Sequence, residues 1–180
     1  MILVVAATAR ELEGADGAAT VVCGIGPVEA ALATARAIAE RRPEAILHVG
    51  IAGARTLAPP AVVIGSESVY CDVVDPGSVI PRVHTVAPDP ELVNAARRAL
   101  PGAHVVPIAT SASVGGGTHC DVEAMEGFGV LRAAALAGVP AVEVRTISND
   151  VAERDRARWR FEDALVALAD AVPRVLAALA

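Results

Sequence analysis

Aromatic residues are nearly absent from this sequence, and lysine and glutamine do not occur at all. Aromatic side chains make up 2% of the 180 residues, whereas hydrophobic residues make up 54%. The core must therefore be built from alanine, valine, leucine and isoleucine. All basic residues are arginines, and the net charge is −6. Because a nucleic-acid-binding surface needs a basic face for the phosphates, this charge argues against a nucleic-acid partner.

Cysteines are few, odd in number and widely spaced. Cys23, Cys71 and Cys120 form no CxxC pair, which favours free, buried thiols in a reducing cytoplasm. No uninterrupted apolar run reaches the ~18 residues of a membrane span. The apolar run 1–7 lacks a preceding basic segment, so we interpret it as a first strand rather than a signal peptide. We expect a cytoplasmic protein that has no membrane partner.

Clustered metal ligands are also lacking. His119, Cys120 and Asp121 are metal-capable residue types, but side chains of adjacent residues do not converge well on one ion. No second group has ligand spacing. We therefore expect neither a metal nor a cofactor.

Short apolar runs alternate with alanine-rich helical stretches along the chain. Strands are predicted at residues 1–7, 19–23, 45–49, 61–70, 103–110 and 141–147. Helices are predicted from Pro27 to about Arg42, and at residues 88–100, 121–137 and 156–180. Such alternation is typical of an α/β fold in which helices cover both faces of a parallel or mixed sheet. We expect a single domain over residues 1–180, with three α/β/α layers around a central mixed sheet.

Glu11 follows the first predicted strand, where α/β sheets bind ligands. A carboxylate there can act as a general base on water, although a solvated surface acid is the more common case. Gly24 and Gly26 follow the second strand and invite a dinucleotide-binding interpretation. The third glycine of that fingerprint is missing, because position 29 is Glu. A tight strand-to-helix turn is the favoured interpretation.

Glu126 opens a predicted helical segment after a glycine-rich loop. An ionised carboxylate only accepts hydrogen bonds, so Glu126 could hold the two vicinal hydroxyls of a ribose. Alternatively, it is an acid stabilised by the helix N-terminus. Met125 could pack against a sugar or, as is more common, fill the core.

Ser148, Asn149 and Asp150 lie where the strand 141–147 is predicted to end, with Arg145 in that strand. Three hydrogen-bonding side chains at this place suit a ligand, but such a turn is often only a helix cap. The charged run that follows contains Trp159, and is also typical of a solvated helix start.

Taken together and in order, these motifs resemble the nucleoside phosphorylase/nucleosidase superfamily. The matching segments, which extend almost from end to end, are the strand leading to Glu11, Gly24-Ile-Gly26-Pro-Val-Glu-Ala-Ala, His48-Val-Gly-Ile-Ala-Gly53, Met125-Glu126 and Val144-Arg-Thr-Ile-Ser-Asn149. Two patterns are most similar to the futalosine hydrolase branch, namely Glu123-x-Met-Glu126-Gly and Ser148-Asn149 followed by Arg154-Asp155-Arg-x-x-Trp159. Enzymes of that branch release hypoxanthine from futalosine in an alternative menaquinone route. The close relatives are methylthioadenosine/S-adenosylhomocysteine nucleosidases, which release adenine.

The resemblance implies roles for these positions. Glu11 would activate water, Glu126 would hold the ribose hydroxyls, and Asn149 would face the N7 edge of the purine. The other residues that it places around the substrate are Ile51, Ala52, Gly53, Ser111, Val114, Met125, Arg145, Ser148, Asp150 and Trp159. It also implies a nucleoside and water as the small-molecule partners, and a homodimer or higher homo-oligomer.

The residue at position 149 discriminates between the two branches. Adenine-releasing relatives carry an aspartate there, whereas an amide offers a donor to a 6-oxo group and a carbonyl to a protonated N7. Asn149 therefore favours a hypoxanthine-type base. If the chain were shifted by one residue, Asp150 would face the base, and adenine would again be a candidate.

Glu11 and Arg10 point to different nucleophiles. A carboxylate beside the anomeric carbon repels phosphate and suits water, whereas an arginine could hold phosphate. We weigh Glu11 more and expect hydrolysis. A non-catalytic nucleotide-binding module that uses Gly24 and Gly26 is the third, least favoured alternative.

Overall fold

The computed structural model describes residues 1–74, 77, 79, 81–115 and 117–180. The strands in these residues are β1 (Ile2–Ala6), β2 (Ala19–Val22), β3 (Ala45–Ala54), β4 (Val62–Tyr70), β5 (Thr85–Val86), β6 (His104–Thr110), β7 (Val122–Ala124) and β8 (Ala141–Asp150). The α-helices are α1 (Pro27–Arg41), α2 (Pro90–Ala99), α3 (Gly127–Ala137) and α4 (Phe161–Leu179). Short 3-10 helices span Ala9–Leu12 and Arg156–Arg158.

Local chemistry explains where the helices begin and end. Pro27 opens α1 at a position where its missing N–H costs no hydrogen bond. Asp89 caps α2, because its carboxylate accepts hydrogen bonds from the backbone N–H groups of Glu91 and Leu92. Gly138 ends α3 in the left-handed conformation, with φ at 68°.

The strands form one mixed sheet, part of which closes into a ring. β2, β1 and β3 are parallel neighbours, and β3 then pairs in parallel with β8. β8 runs antiparallel to β4, β4 runs parallel to β6, and β6 runs parallel to β7. β7 returns to the end of β3 as an antiparallel neighbour. The ends of β1, β3, β7 and β8 are thereby brought close together.

Helices cover the sheet on opposite faces. Leu3 and Val5 of β1 pack with residues of α1 and α3, whereas Val4 and Ala6 pack with residues of α2 and α4. Successive side chains of a strand point to opposite faces, so an uninterrupted apolar strand is what a sheet covered on both sides requires. The predicted three layers and the mixed sheet are confirmed.

Two strands continue beyond their predicted ends. The segment 50–53 continues β3, and residues 148–150 continue β8. Gly53 pairs with Asn149, and Ala54 pairs with Asp150, across the two strands. Hydrogen bonding between distant segments therefore outweighs the local turn signal of glycine, serine and asparagine.

The predicted helix 121–137 is also partly wrong. Its first residues form β7, which pairs with β3 and β6, and only Gly127–Ala137 is helical. Likewise, the closing helix begins at Phe161 rather than Arg156. In the part of the chain that the structure describes, no helix is long and apolar enough to cross a membrane.

Candidate active site

A cavity of about 510 Å³ opens where β1, β3, β7 and β8 end. This is the edge of the sheet at which α/β folds bind ligands, and the volume suits a nucleoside-sized molecule. The predicted site residues that line it are Glu11, Ile51, Ala52, Gly53, Val114, Met125, Glu126, Ser148, Asn149 and Trp159. Ser111, Arg145 and Asp150 are not on its wall.

Three hydrogen bonds hold the Glu11 carboxylate. Oε2 accepts from the backbone N–H and the hydroxyl of Thr8, at 2.9 and 2.8 Å, and Oε1 accepts from the N–H of Ile51 at 3.0 Å. The residue is 5% exposed, yet it lines the cavity. A carboxylate has about four acceptor positions, so Oε1 keeps capacity for one further donor, such as water.

Glu126 lies on the cavity wall at the start of α3. Its Oε1 accepts from the N–H of Gly26 at 3.2 Å, and its Oε2 accepts from both terminal nitrogens of Arg145 at 3.3 Å. Gly24 and Gly26 have φ values of 83° and 96°, a region that favours glycine. The glycine pair forms the predicted tight turn, and this turn presents an N–H to Glu126.

Asn149 lies on the cavity wall, whereas Asp150 is exposed outside it. The pairing of β3 with β8 shifts register between Ala52 and Gly53, so that Ser148 is an extra residue in β8. Such a bulge re-aims the side chains that follow it. Asp150 instead accepts a hydrogen bond from the N–H of Ala152 at 2.8 Å.

The Asn149 amide is held at both ends by the protein. Ser148 donates to Oδ1 at 2.8 Å, and Nδ2 donates to the carbonyl of Asp150 at 2.9 Å. An amide has two acceptor positions and two N–H groups. One acceptor and one donor therefore remain for a ligand.

Ser111 and Arg145 lie behind the wall. The Ser111 hydroxyl donates to Asp72 at 2.8 Å and is buried, so it anchors the loop whose next residues, 113–115, line the cavity. Arg145 is 1% exposed and bonds Glu126 and the carbonyl of Ile51. Burial opposes its charge, but the adjacent carboxylates of Glu143, Glu126 and Glu11 together raise the pKa of the guanidinium.

Trp159 and Phe161 both line the cavity, with their ring centroids 5.2 Å apart. The Trp159 indole donates to the carbonyl of Glu153 at 2.9 Å, which fixes the ring. The sequence alone does not determine which of the two aromatic residues approaches the ligand. The structure places the two rings side by side.

The resemblance implies that the loop Ser111–Gly115 contacts the base and that Trp159 or Phe161 closes over the ligand, and Ser113, Gly115 and Phe161 line the cavity. Several other lining residues were not predicted. They are Ala7, Thr8, Arg10, Ile25, Glu123, Ala124, Val151, Arg156, Glu162 and Leu165. Thr8 had a local signal, since a threonine three residues before Glu11 matches a capping box. No local sequence pattern marks Glu162, because its ion pair with Arg10, at 2.8 Å, joins segments that are far apart in the sequence.

Gly50 makes room for two of these charged groups. A Cβ built there would overlap Nη1 of Arg145 and lie 2.8 Å from Oε1 of Glu11. We expect Gly50→Ala to lower the free energy of unfolding by about 1–3 kcal/mol, as overpacking does, and to reduce activity. Urea unfolding and kinetics measure both effects. The matched control is Gly102→Ala, where the added methyl meets open space; equal effects in the two variants would contradict the prediction.

His48 is fully buried, and its Nδ1 lies 2.9 Å from the carbonyl of Val5. A carbonyl only accepts, so Nδ1 carries the proton, and Nε2 accepts from Arg145. Burial, together with the positive charge of Arg145, holds the pKa of His48 well below its ordinary value.

The neutral His48 makes folding sensitive to acid. In the unfolded chain its imidazole binds a proton below about pH 6.5, whereas the native imidazole stays neutral, so acid favours unfolding. We expect this group to lower the free energy of unfolding by up to about 2 kcal/mol between pH 6.5 and pH 5. Urea unfolding across that range, compared with His48→Phe, measures it. An equally steep dependence in the variant would refute the assignment.

Comparisons with known proteins agree with this architecture. The sequence profile described as Phosphorylase superfamily matches residues 8–180. The chain is 37% identical to a futalosine hydrolase from Streptomyces coelicolor over 190 aligned positions, which cover 89% of this chain and 79% of that enzyme. It is 32% identical to a futalosine hydrolase from Acidothermus cellulolyticus, with 80% of this chain and 69% of that enzyme covered.

Solved structures show the same fold. A methylthioadenosine/S-adenosylhomocysteine nucleosidase from Colwellia psychrerythraea, in complex with adenine, superposes with a TM-score of 0.86 at 22% identity, covering 99% of this chain and 95% of that one. A futalosine hydrolase mutant of Helicobacter pylori superposes with a TM-score of 0.84 at 18% identity, covering 99% and 96%.

Proposed function

Because the chain belongs to the phosphorylase superfamily, we propose that it is a nucleosidase that hydrolyses the N-glycosidic bond of futalosine. The products are hypoxanthine and dehypoxanthine futalosine. Relatives that cover most of the chain at 37% and 32% identity are futalosine hydrolases, which supports this substrate. Residues 1–180 then act as a single nucleosidase domain.

The observation that carries the proposal is the joint placement of Glu11, Glu126 and Asn149 on one cavity wall. Each of these side chains keeps hydrogen-bonding capacity beyond its contacts with the protein. Glu11 and Glu126 can each accept from a further donor, while Asn149 offers one acceptor and one donor. These are the groups that water, a ribose hydroxyl and a 6-oxopurine need.

The reaction follows from these groups. N7 of the purine takes up a proton from solvent water, the bond between the anomeric carbon and N9 breaks, and its electron pair leaves with the base, whose N7–H donates to Oδ1 of Asn149. The amide N–H donates to the 6-oxo group. The remaining acceptor position of Glu126, on Oε1, takes a ribose hydroxyl, and its negative charge stabilises the developing ribosyl cation. Glu11 removes a proton from the water that attacks the anomeric carbon.

Water is favoured over phosphate as the nucleophile. Arg10, the residue that could have argued for phosphate, donates to both oxygens of Glu162, at 3.0 and 2.8 Å. Its positive charge is therefore paired with a carboxylate that also lines the cavity. The carboxylate of Glu11, on the same cavity wall, repels an anion.

Adenine release remains the second candidate, because methylthioadenosine/S-adenosylhomocysteine nucleosidases share the fold at TM-scores up to 0.86. The nucleotide-binding alternative is disfavoured, since Gly26 faces the carboxylate of Glu126, which would repel a pyrophosphate.

An activity assay with three nucleosides tests the proposal. Purified protein is offered futalosine, inosine and methylthioadenosine, with and without phosphate, and the released base is identified. Hypoxanthine from futalosine without phosphate is the expected result. Adenine release would support the second candidate, and no base release would overturn both.

The enzyme acts as a homodimer or higher homo-oligomer in the cytoplasm. An exposed apolar patch supports self-association: Ile25, Val28 and Leu32 are 62%, 66% and 65% exposed, and Ile25 also lines the cavity. Three free cysteines suit a reducing compartment. Light scattering of the purified protein checks the assembly, and a monomer at micromolar concentration would contradict it.

A further inference from the structure

A cluster of three ionisable side chains, which the proposed reaction does not use directly, lies behind the cavity. His48, Glu143 and Arg145 are each 0–1% exposed. They belong to adjacent strands, where His48 pairs with Glu143 and Gly50 pairs with Arg145. Residues two apart in a strand share a face, so all three side chains lie on one side of the sheet.

Every N–H of the Arg145 guanidinium has an acceptor within the protein. Nε donates to Glu143 at 2.9 Å, Nη1 donates to Ile51 and Glu126, and Nη2 donates to His48 and Glu126. A guanidinium has five N–H groups, so no donor is left for a ligand. Arg145 therefore acts through Glu126 rather than on the substrate.

Glu143 and His48 fix the orientation of this guanidinium from two sides. Glu143 accepts from Nε, and the neutral imidazole accepts from Nη2. With both contacts made, the two terminal nitrogens of the planar group point at the same oxygen of Glu126. Packing holds Glu143 in place too, because a Cβ on Gly127 would overlap its carboxylate.

A contribution to folding stability is a poor explanation for these three buried ionisable side chains. Burying charged groups costs desolvation that their mutual attraction often fails to offset, and apolar residues of similar size are frequently as stable. Burial raises the pKa of the Glu143 carboxyl, while Arg145 opposes that shift. Glu143 in this unfavourable environment bonds Arg145, which in turn bonds Glu126.

We propose that Glu143 and His48 are positioning residues, which orient Arg145 and thereby hold the Glu126 carboxylate where it binds a ribose hydroxyl. This inference rests on the proposed function of Glu126. It assigns selectivity for the sugar to two residues that do not touch the cavity.

The test measures kcat/KM for futalosine and for its 2′-deoxy derivative. The preference is the ratio of kcat/KM for the ribonucleoside to kcat/KM for the deoxyribonucleoside. Because a hydrogen bond to a charged group is worth a factor of about 10 to 100, we expect this ratio to be about 10- to 100-fold higher in the wild-type enzyme than in Glu126→Gln. We expect Glu143→Met and His48→Phe to reduce this preference at least about fivefold. Glu143→Gln, whose carbonyl still accepts from Nε, retains it within about twofold.

Thr146→Val is the matched structural control. Thr146 lies next to Arg145 in β8, and its hydroxyl donates to the carbonyl of Ala164 at 2.8 Å, away from the cluster. We expect this variant to lose stability but to keep the wild-type preference. If Glu143→Met does not fold, His48→Phe carries the test, because it removes another acceptor of the same guanidinium.

The outcomes separate the two proposals. If Glu126→Gln keeps the full preference, the proposed ribose-binding role fails, whatever the other variants do. If Glu126→Gln loses it while Glu143→Met and His48→Phe keep it, only the positioning inference is overturned. A loss in Glu143→Gln as large as that in Glu143→Met would also overturn it.

Discussion

Glu11→Gln is expected to lower kcat by about 10³-fold or more while futalosine still binds. Glutamine has nearly the same shape, but an amide cannot take a proton from the attacking water, and general bases contribute about 10²–10⁴-fold. Replacing one carboxylate oxygen by an NH₂ group also disturbs the donors on Thr8. Single-turnover rates and calorimetric binding of futalosine measure the two effects separately.

The matched control for this variant is Glu13→Gln, which makes the same chemical change two residues away at an exposed position. Its kcat should stay within about twofold of wild type, as surface substitutions usually have small effects. Near-normal turnover in Glu11→Gln would remove Glu11 from the mechanism. Loss of binding, rather than of turnover, would make it a substrate-holding residue.

Asn149→Asp is expected to reverse the preference between bases. An ionised carboxylate at position 149 would place a negative charge against the 6-oxo group, and a protonated one could donate to N7 and accept from a 6-amino group. Sites built to bond one group reject its analogue by about 10⁴-fold, so kcat/KM for futalosine should fall by at least about 10²-fold. Adenine release from methylthioadenosine should rise in the same assay.

Asp150→Asn serves as the control, because this neighbouring side chain is exposed and caps the turn at Ala152. Its base preference should remain that of the wild type. The opposite pattern, in which the change at position 150 alters the preference and the change at position 149 does not, would show that Asp150 faces the purine.

Local signals were enough to predict most elements of this fold. Strands such as β1 and β6 are short apolar runs, and the cap at Asp89 and the helix end at Gly138 depend on residues next to them. The strand β7 and the ends of β3 and β8 were missed because their hydrogen bonds join segments far apart in sequence. The ring of strands likewise has no local signature.

Individual site residues were predicted unevenly for the same reason. Glu11 follows a strand end and Glu126 precedes a helix, and both positions are marked by the residues next to them in the sequence. The groups that hydrogen-bond Glu126, by contrast, come from distant segments of the chain. Gly26 and Arg145 both bond Glu126, although they lie 100 and 19 residues away.

By itself, the sequence determined the layered α/β architecture and which polar side chains lie at strand ends, because hydrophobic periodicity and caps are properties of neighbouring residues. Only the tertiary structure decided that Asn149, and not Asp150, lies on the cavity wall, and that Arg145 lies behind it. The bulge at Ser148 places Asn149 on the wall, and Arg145 is held behind it by five N–H groups, four of which bond acceptors on other segments of the chain. Both depend on pairing between β3 and β8, whose residues are about a hundred positions apart along the chain.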